Sequence, residues 1–264
     1  MTASSGQAEK KGRGKARLPF DSLILCLAVV LAWQAVTYFG DVPAYLLPPP
    51  SAIAERIYSD FGLLFSHSLV TAKEVLIGFL LSIVISVPLA AILAQFPLVE
   101  RMLYPLLVAS QTVPKVAIAP LLVVWFGFGL FPKILIAFLI CFFPILVDSL
   151  VGFRSMPKEI AWLARSTGAS RWKVFMHFQV PAALPNIFAG VKVASTLAIV
   201  GAIVGEFVAA DSGLGYQLIV ANGSLDVTLS FSILIVLSVM GMLLFALVDL
   251  AERLALPWHV SQRA

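Results

Sequence analysis

Charged residues are scarce in this sequence. Only 12% of its 264 residues are Asp, Glu, Lys or Arg, whereas 60% are hydrophobic and the mean hydropathy is +0.99. A water-soluble domain carries about a quarter charged residues and just under half apolar ones. The composition therefore excludes an ordinary soluble domain, and its apolar surplus predicts a protein that is embedded in a lipid bilayer.

Histidine, cysteine and catalytic patterns are also scarce. The chain has three histidines and two cysteines, and neither set has the spacing of a metal site. The phosphate-binding sequence Gly-x-x-x-x-Gly-Lys-Ser/Thr is absent. No grouping of nucleophile, base and charge-stabilising residues is found either. The chain is therefore expected to bind no metal or cofactor of its own and to perform no covalent chemistry.

Long apolar runs dominate the rest of the sequence. They predict an all-α, multi-pass membrane protein with six transmembrane helices, because about 20 apolar residues in a helix cross a bilayer. The predicted spans are residues 22–40, 68–95, 102–127, 133–153, 186–209 and 229–251. A basic tail, residues 1–20, precedes one transmembrane domain, residues 21–264. The first run is longer than the about 7–15 apolar residues of a signal peptide, so it is expected to be retained.

Lysine and arginine are unevenly distributed between the predicted loops. With six spans and a cytoplasmic amino terminus, 14 of the 18 basic residues fall on the cytoplasmic side. The outer side receives only Arg56, Lys73 and Lys133, and Lys115 lies within a span. Basic residues favour the cytoplasmic side of membrane proteins. Both termini are therefore predicted to be cytoplasmic, and the net charge of +4 indicates topology rather than nucleic-acid binding.

The third predicted span is interrupted. Gln111-Thr112-Val113-Pro114-Lys115 places polar residues and a proline in the middle of an apolar run. Proline breaks the backbone hydrogen bonding of a helix, and membrane bundles accept such breaks where spans line a pathway. The pattern predicts two half-helices that line a pathway, or a plain structural kink.

The segment between the fourth and fifth spans, residues 154–185, is too patterned for a simple connector. Ser155 is predicted to cap a helix that has Pro157 in its first turn and Glu159 near its positive end. Gly168 supplies a carboxyl-terminal stop for that helix. The pattern predicts a first short helix on the cytoplasmic side.

A second helix is predicted directly after this glycine. Ser170 is placed to cap a helix from Arg171 to about Gln179, and Pro181 and Pro185 are predicted to end it. Helix, glycine and helix together predict a short, stiff projection. Such a projection suits a membrane protein that receives force from a soluble partner.

Residues 162–181 resemble the signature loop of the binding-protein-dependent ABC transporter permeases. That signature runs Glu-Ala-Ala, three residues, Gly, nine residues, then Ile-x-Leu-Pro. The matching residues are Ala164, Gly168 and Pro181, with Phe178 and Val180 in place of Ile and Leu, and Trp162 and Leu163 in the first two positions. The signature glutamate is thus missing in register, and Glu159, one turn earlier, is the candidate substitute.

Further motifs resemble the branch of this family that imports taurine, alkanesulfonates and nitrate. They lie between about Leu47 and Trp258 and include Pro-Pro-Pro-Ser at 48–51, Pro114-Lys115, Ala119-Pro120-Leu121, Trp125-Phe126-Gly127, Ala182-Ala183-Leu184-Pro185, and Ser212-Gly213-Leu214-Gly215-Tyr216. Each motif is weak by itself. Their order and spacing make a chance match improbable.

The resemblance implies a type I, MetI-like permease fold and a transport function in the bacterial inner membrane. Two permease chains, expected to be identical, would form a pathway across the bilayer. Two cytoplasmic ATPase subunits, which carry the ATP and Mg, would dock under the signature loops, and an external solute-binding protein would deliver the solute. The residues expected to couple to the ATPase are Glu159, Trp162, Ala164, Gly168, Ala169, Ser170, Arg171 and Pro181.

Several polar residues within the spans are candidates for the pathway: Gln111, Thr112, Lys115, Ser195, Thr196 and Glu206. A lone lysine inside a membrane is costly, so Lys115 is expected to face a cavity or to pair with an acid. Glu206 is expected to reach water, to pair, or to act in gating or in docking of the binding protein. The other four are expected either to bond to neighbouring backbone or to line the pathway.

Two glycine patterns have structural interpretations. Ser212-Gly213-Leu214-Gly215-Tyr216 predicts a turn that requires glycine dihedral angles. Gly201 and Gly205 have the spacing of close helix packing, with the second permease chain as one possible neighbour.

The solute is predicted as a class only. A small organic or inorganic anion such as taurine, a sulfonate or nitrate is the first choice, with slight support from Lys115. A vitamin precursor, riboflavin or an aromatic acid is the alternative. An ion-coupled secondary transporter is the alternative of another class, and it would carry more paired charges within the membrane and would not need the helix-glycine-helix loop.

Overall fold

The structure is a computed structural model that describes residues 19–166 and 168–258, and in these residues every regular element is helical. The helices are α1 (Pro19–Phe39), α2 (Pro50–Ser59), α3 (Phe61–Gln95), α4 (Pro97–Thr112), α5 (Lys115–Phe126), α6 (Leu130–Arg154), α7 (Lys158–Ser166), α8 (Arg171–Val174), α9 (Val180–Ala209), α10 (Leu214–Gly223) and α11 (Val227–Ala255). A π-helical turn, Phe175–Gln179, joins α8 to α9. Most of the predicted basic tail lies outside the described residues.

Long apolar helices account for the predicted spans. Four are long and apolar enough to cross a bilayer: α3, α6, α11 and the continuous helix Arg171–Val208. The pair α4 and α5 makes a fifth if it is one broken span, and α1 has a shorter apolar part, Ile24–Phe39. The all-α prediction is confirmed, and these elements are compatible with six spans. Helix α2, before α3, was not predicted.

Helix α6 packs between α3 and α9 through small residues. A Cβ atom on Gly78 of α3 or on Gly201 of α9 would lie 2.7 Å from Ala137 of α6. A Cβ atom on Gly205 would lie 2.9 Å from the Cα atom of Lys133. Close packing at Gly201 and Gly205 is therefore confirmed, and their neighbour is α6 of the same chain. Glycine is required because any side chain would push the two backbones apart.

The break in the third span has the predicted form of two half-helices. Helix α4 ends at Thr112, α5 begins at Lys115, and the two axes differ by 92°. Val113 has an extended backbone, with φ −67° and ψ 124°. The residue before a proline avoids the helical region, and Pro114 has no N–H to donate. The local sequence thus separates the two half-helices.

Two details of the predicted loop are wrong. Ser155 closes α6 instead of capping the next helix, and its hydroxyl donates a hydrogen bond to the Gly152 carbonyl at 2.7 Å. Pro181 and Pro185 do not end the second helix, because α8, the π turn and α9 form one continuous helix. The N–H of Val180 donates to the carbonyl of Phe175, five residues back, and such a wide turn lets a helix adjust its hydrogen bonding next to a proline.

Candidate functional site

The helix-glycine-helix loop has the predicted turn. Gly168 has φ +77°, a value that favours glycine, and the N–H of Ala169 donates to the carbonyl of Ala164 at 3.3 Å. The side chain of Ser170 then accepts a hydrogen bond from the N–H of Lys173 at 3.4 Å and caps α8. Gly168 as a stop and Ser170 as a cap are both confirmed.

The loop presents apolar side chains to the outside. Trp162, Leu163 and Trp172 are each about two-thirds exposed, whereas Ala164 is buried. Exposed apolar clusters rimmed by polar residues mark interaction surfaces. Of the remaining loop candidates, Glu159, Gly168, Ser170 and Arg171 are exposed, and Ala169 and Pro181, the latter already in α9, are half-buried. We call this surface the loop tip.

Aromatic rings connect the loop tip to the helix bundle. The ring of Trp172 stacks on that of Phe175, with centroids 5.7 Å apart, and Phe175 stacks on Phe153 at 5.9 Å. Phe153 is buried in α6. Two ring contacts thus connect the exposed Trp172 with the buried Phe153 of α6.

Polar contacts fix the base of the loop to two further helices. The side-chain amide of Gln179 donates to the carbonyl of Phe153 at 2.7 Å and accepts from Gln95 of α3 at 3.0 Å. Arg154 forms an ion pair with the buried Glu100 of α4. Sequence reasoning missed Gln179, Gln95 and Glu100 as anchors. The only sign of these anchors in the sequence is that each is a polar residue near the end of an apolar run.

The pathway candidates divide into exposed and buried groups. Gln111, Thr112 and Thr196 are exposed, and Lys115 is half-buried with its ammonium group 5.0 Å from the centre of the Phe143 ring. Lys115 thus has an aromatic neighbour in α6, and such a contact lowers the cost of a cation in a poorly solvated place. Ser195 is fully buried and donates to the Lys192 carbonyl of its own helix at 2.7 Å.

Helix α9 has one face that no other part of the described chain covers. Its exposed residues recur at helical spacing: Ala189, Val193, Thr196, Val200 and Phe207. The opposite face of α9 packs on α6, and Ser195 belongs to that buried side. We call the exposed residues the α9 stripe.

Glu206 is buried, and its carboxylate accepts a hydrogen bond from the backbone at the start of α10. The hydroxyl of Thr71 donates to Glu206 Oε1 at 2.6 Å, and the backbone N–H of Gly215 donates to Glu206 Oε2. Glu206 is 1% exposed, so the expectation that it reaches water is wrong.

The first amides of α10 are each bound by a side chain from another helix. The N–H of Gly213 donates to Nδ1 of His67, and the N–H of Leu214 donates to Oγ1 of Thr71, both at 2.9 Å. With Glu206 on Gly215, three consecutive N–H groups are satisfied. The first N–H groups of a helix have no partner within the helix, and this end of a helix favours negative charge. The three hydrogen bonds therefore hold α10 on α3 and α9.

Gly213 has the predicted glycine conformation at this turn. Its φ is +112°, and a Cβ atom there would lie 2.2 Å from a carboxylate oxygen of Glu206. Both the backbone angle and the lack of space therefore require glycine.

Lys133, the first residue of the predicted fourth span and counted with the outer side, lies in the buried first turn of α6. Its ammonium group donates to Oε1 of Glu74 in α3 at 2.9 Å, and both side chains are at least 95% buried. Glu74 within an apolar run was the signal that would have found this pair.

Lys192 was counted with the cytoplasmic loop, but it lies well inside α9. Its ammonium group binds Asp249 at 2.6 Å and also pairs with Glu252. Arg253 binds Asp249 at 2.7 Å. This network joins α9 to the end of α11.

An all-helical membrane bundle with a broken span and a rigid helix-glycine-helix loop is the construction of a transport permease. A family model described as "Binding-protein-dependent transport system inner membrane component" matches residues 82–257. This range includes the broken span, the loop and α10. The chain belongs to this family, and it is a permease of an ABC importer.

Curated relatives agree with the family. The chain is 40% identical over 240 residues to a riboflavin transport system permease protein of Chloroflexus aurantiacus, covering 90% of each chain. It is 36% identical to a formylaminopyrimidine transport permease protein of Halalkalibacterium halodurans, covering 89% of this chain and 94% of the relative. It is 31% identical to a putative aliphatic sulfonates transport permease protein of Bacillus subtilis, covering 99% and 96%.

Proposed function

We propose that this permease forms a solute pathway with a second, identical copy and is driven by two ATPase subunits that dock on the loop tip. The observation that carries this proposal is the rigid connection of the loop tip to the bundle. Trp172 reaches α6 through stacked rings, and Gln179 ties the same segment to α3 and α6. ATP and Mg belong to the ATPase subunits, and an external binding protein delivers the solute.

The distribution of basic residues supports an orientation with both termini in the cytoplasm. The asymmetry persists when the buried Lys133 is removed from the outer count and Lys192, which lies inside α9, from the cytoplasmic count. Arg154, Arg171 and Lys173 flank the loop tip and are all exposed. Their position supports a loop on the cytoplasmic side, where the ATPase subunits would dock.

The α9 stripe and the break between α4 and α5 are proposed to line the pathway. Thr196 lies on the stripe, and Gln111, Thr112 and Lys115 surround the break. Ser195 and Glu206 have roles in helix packing and in holding α10, because both are buried within the chain. Alternating access would then move the stripe relative to its copy in the partner chain.

A heteroaromatic vitamin or vitamin precursor is the solute class that we propose. The relatives with the higher identities, 40% and 36%, are named for riboflavin and formylaminopyrimidine. The sequence alone favoured a small anion over a vitamin precursor, so this proposal reverses the order of the two solute classes. A small anion is the second candidate, because Lys115 places a cation at the break and a relative with 31% identity is named for aliphatic sulfonates.

Reconstitution tests the proposed function. The permease, its ATPase and its binding protein are placed in proteoliposomes, and uptake of riboflavin, a formylaminopyrimidine and an alkanesulfonate is measured with and without ATP. We expect ATP-dependent uptake of one heteroaromatic compound. Uptake driven by an ion gradient without ATP, or no copurification of an ATPase subunit, would refute the proposal. Uptake of the sulfonate alone would support the second solute class.

A further inference from the structure

Three charged side chains are buried together near the start of α10. Glu74 is fully buried, Glu206 is 1% exposed and Lys133 is 4% exposed. Two acids and one base leave an excess of one negative charge if all three are ionised. An uncompensated buried charge is costly, and a protein usually removes it by binding a proton or another cation.

Glu206 is the acid that stays ionised. Each of its carboxylate oxygens accepts a hydrogen bond, one from the Thr71 hydroxyl and one from the Gly215 N–H. A protonated carboxyl group would have to turn one O–H toward a donor. The start of a helix also favours a negative charge. Both carboxylate oxygens of Glu206 are therefore hydrogen-bond acceptors.

Glu74 is placed differently. Its Oε1 accepts from Lys133 at 2.9 Å, whereas no donor in the described part of the chain reaches its buried Oε2. Glu206 belongs to the same site, because its carboxylate accepts from Thr71, one turn before Glu74 in α3, and its neighbour Gly205 packs against Lys133. Two ionised carboxylates in one buried site repel each other, and neither has a proton to donate. A proton on Oε2 of Glu74 removes that repulsion and gives this oxygen an O–H group that can donate a hydrogen bond.

We propose that Glu74 holds one proton in a buried site between α3, α6 and α9, and that this proton keeps Glu206 bound to α10. Lys133 and Glu206 then balance in charge. Loss of the proton would leave two carboxylates that repel each other, and this repulsion would weaken the hydrogen bond from the Gly215 N–H to Glu206. The site thus makes the position of α10 depend on one proton, which is separate from the ATPase cycle.

The other titratable groups around this site are few. His67 accepts from the Gly213 N–H through Nδ1, so while this hydrogen bond is formed the ring is neutral and carries its proton on Nε2. Its Nε2 lies 2.8 Å from the Gln217 amide, which then presents its oxygen to the ring. Tyr216 lies on α10 and Lys73 is exposed on α3. Protonation of His67 would remove one of the three contacts of α10.

Infrared difference spectroscopy tests the proton directly. The permease in its complex with the ATPase subunits is placed in nanodiscs at neutral pH, and the spectrum of Glu74→Gln is subtracted from that of the wild type. We expect the carbonyl band of a protonated carboxylic acid in the difference, and none for the control Asp211→Asn, an exposed acid next to α10. Absence of that band for Glu74→Gln would overturn the proposal.

Transport gives a second, independent comparison. Gln imitates a protonated Glu, so Glu74→Gln should transport within about twofold of the wild type, while Glu206→Gln should fall at least about tenfold because a buried donor loses its acceptor. The reverse order, or equal losses in both variants, would contradict the assignment. If Glu206→Gln does not fold, the infrared comparison and the activity of Glu74→Gln still decide.

Discussion

The side-chain amide of Gln179 is bonded to the backbone carbonyl of Phe153 at 2.7 Å. These two residues lie 26 positions apart and join the π turn to the end of α6. The same amide accepts from Gln95 of α3. One side chain thus ties the base of the loop to two membrane helices, and the exposed Trp172 is only seven positions before it in the chain.

Gln179→Ala should reduce coupling rather than assembly. It removes two hydrogen bonds, each worth about 1 kcal/mol, at the place where the loop meets α3 and α6. We expect ATP hydrolysis to persist while uptake per ATP falls several-fold. The measurement is uptake and phosphate release on the same proteoliposomes. His177→Ala, an exposed residue of the same turn, is the matched control, and equal effects of the two variants would count against Gln179.

Gly168→Val should uncouple the transporter through backbone strain alone. No atom lies within 4 Å of a Cβ atom placed there, but φ is +77°. A left-handed conformation costs a β-branched residue about 1–2 kcal/mol, whereas Asn accepts it more readily. We expect lower uptake per ATP for Gly168→Val and near-normal values for Gly168→Asn. Normal coupling in both variants would show that the loop does not depend on this turn.

Gly201→Val should destabilise the bundle. Its Cβ atom would lie 2.7 Å from the Cα atom of Ala137, so α6 and α9 would have to separate. Overpacking of this kind costs about 1–3 kcal/mol. Thermal denaturation in detergent should show a lower midpoint for this variant. Gly223→Val, where no atom lies within 4 Å, is the control. An unchanged midpoint for Gly201→Val would contradict the described packing.

Lys133→Met should be among the most damaging single changes. It leaves Glu206 as a buried carboxylate without a cation, and breaking a buried ionic contact costs about 3–5 kcal/mol. We expect a large loss of folded protein, measured as the monodisperse fraction in size-exclusion chromatography. Lys73→Met removes an exposed lysine of α3 and should have little effect. A normal yield of Lys133→Met would contradict the proposed charge balance between Lys133 and Glu206.

Lys115→Met tests the pathway. The change removes the cation over the Phe143 ring, a contact worth about 0.5–1 kcal/mol at a partly solvated site. If the solute is an anion, its uptake should fall strongly, and Lys115→Arg should keep it. If the solute is heteroaromatic and neutral, both variants should change uptake by less than about threefold. For an anionic solute, unchanged uptake across pH in Lys115→Met would remove this residue from the pathway.

Local features were predictable from the sequence. Contiguous apolar runs locate the long helices, Pro114 predicts the break, and Gly168 and Ser170 follow the general rules for helix ends. Each of these depends on residues that are neighbours in the chain. The family was also predictable, from the loop of residues 162–181 together with short motifs between about Leu47 and Trp258.

Tertiary contacts were not predictable in the same way. Lys133 and Glu74 are 59 positions apart, and Thr71 and Glu206 are 135 apart. An acid within an apolar run, such as Glu74, indicates a buried charge but does not identify its partner, so the contact with Lys133 was missed. Pro181 was taken as a helix end because a proline usually is one. The π turn before it, supported by Gln179, lets the helix continue.

The side of the membrane on which the loop tip lies is the central claim, and cysteine labelling tests it. In a Cys26→Ser background, Ser170→Cys and Asp211→Cys each give one exposed thiol, because Cys141 is buried. A membrane-impermeant maleimide should label Asp211→Cys in intact cells and Ser170→Cys only after the membrane is opened. Labelling of Ser170→Cys from outside intact cells would contradict docking of the ATPase on this loop.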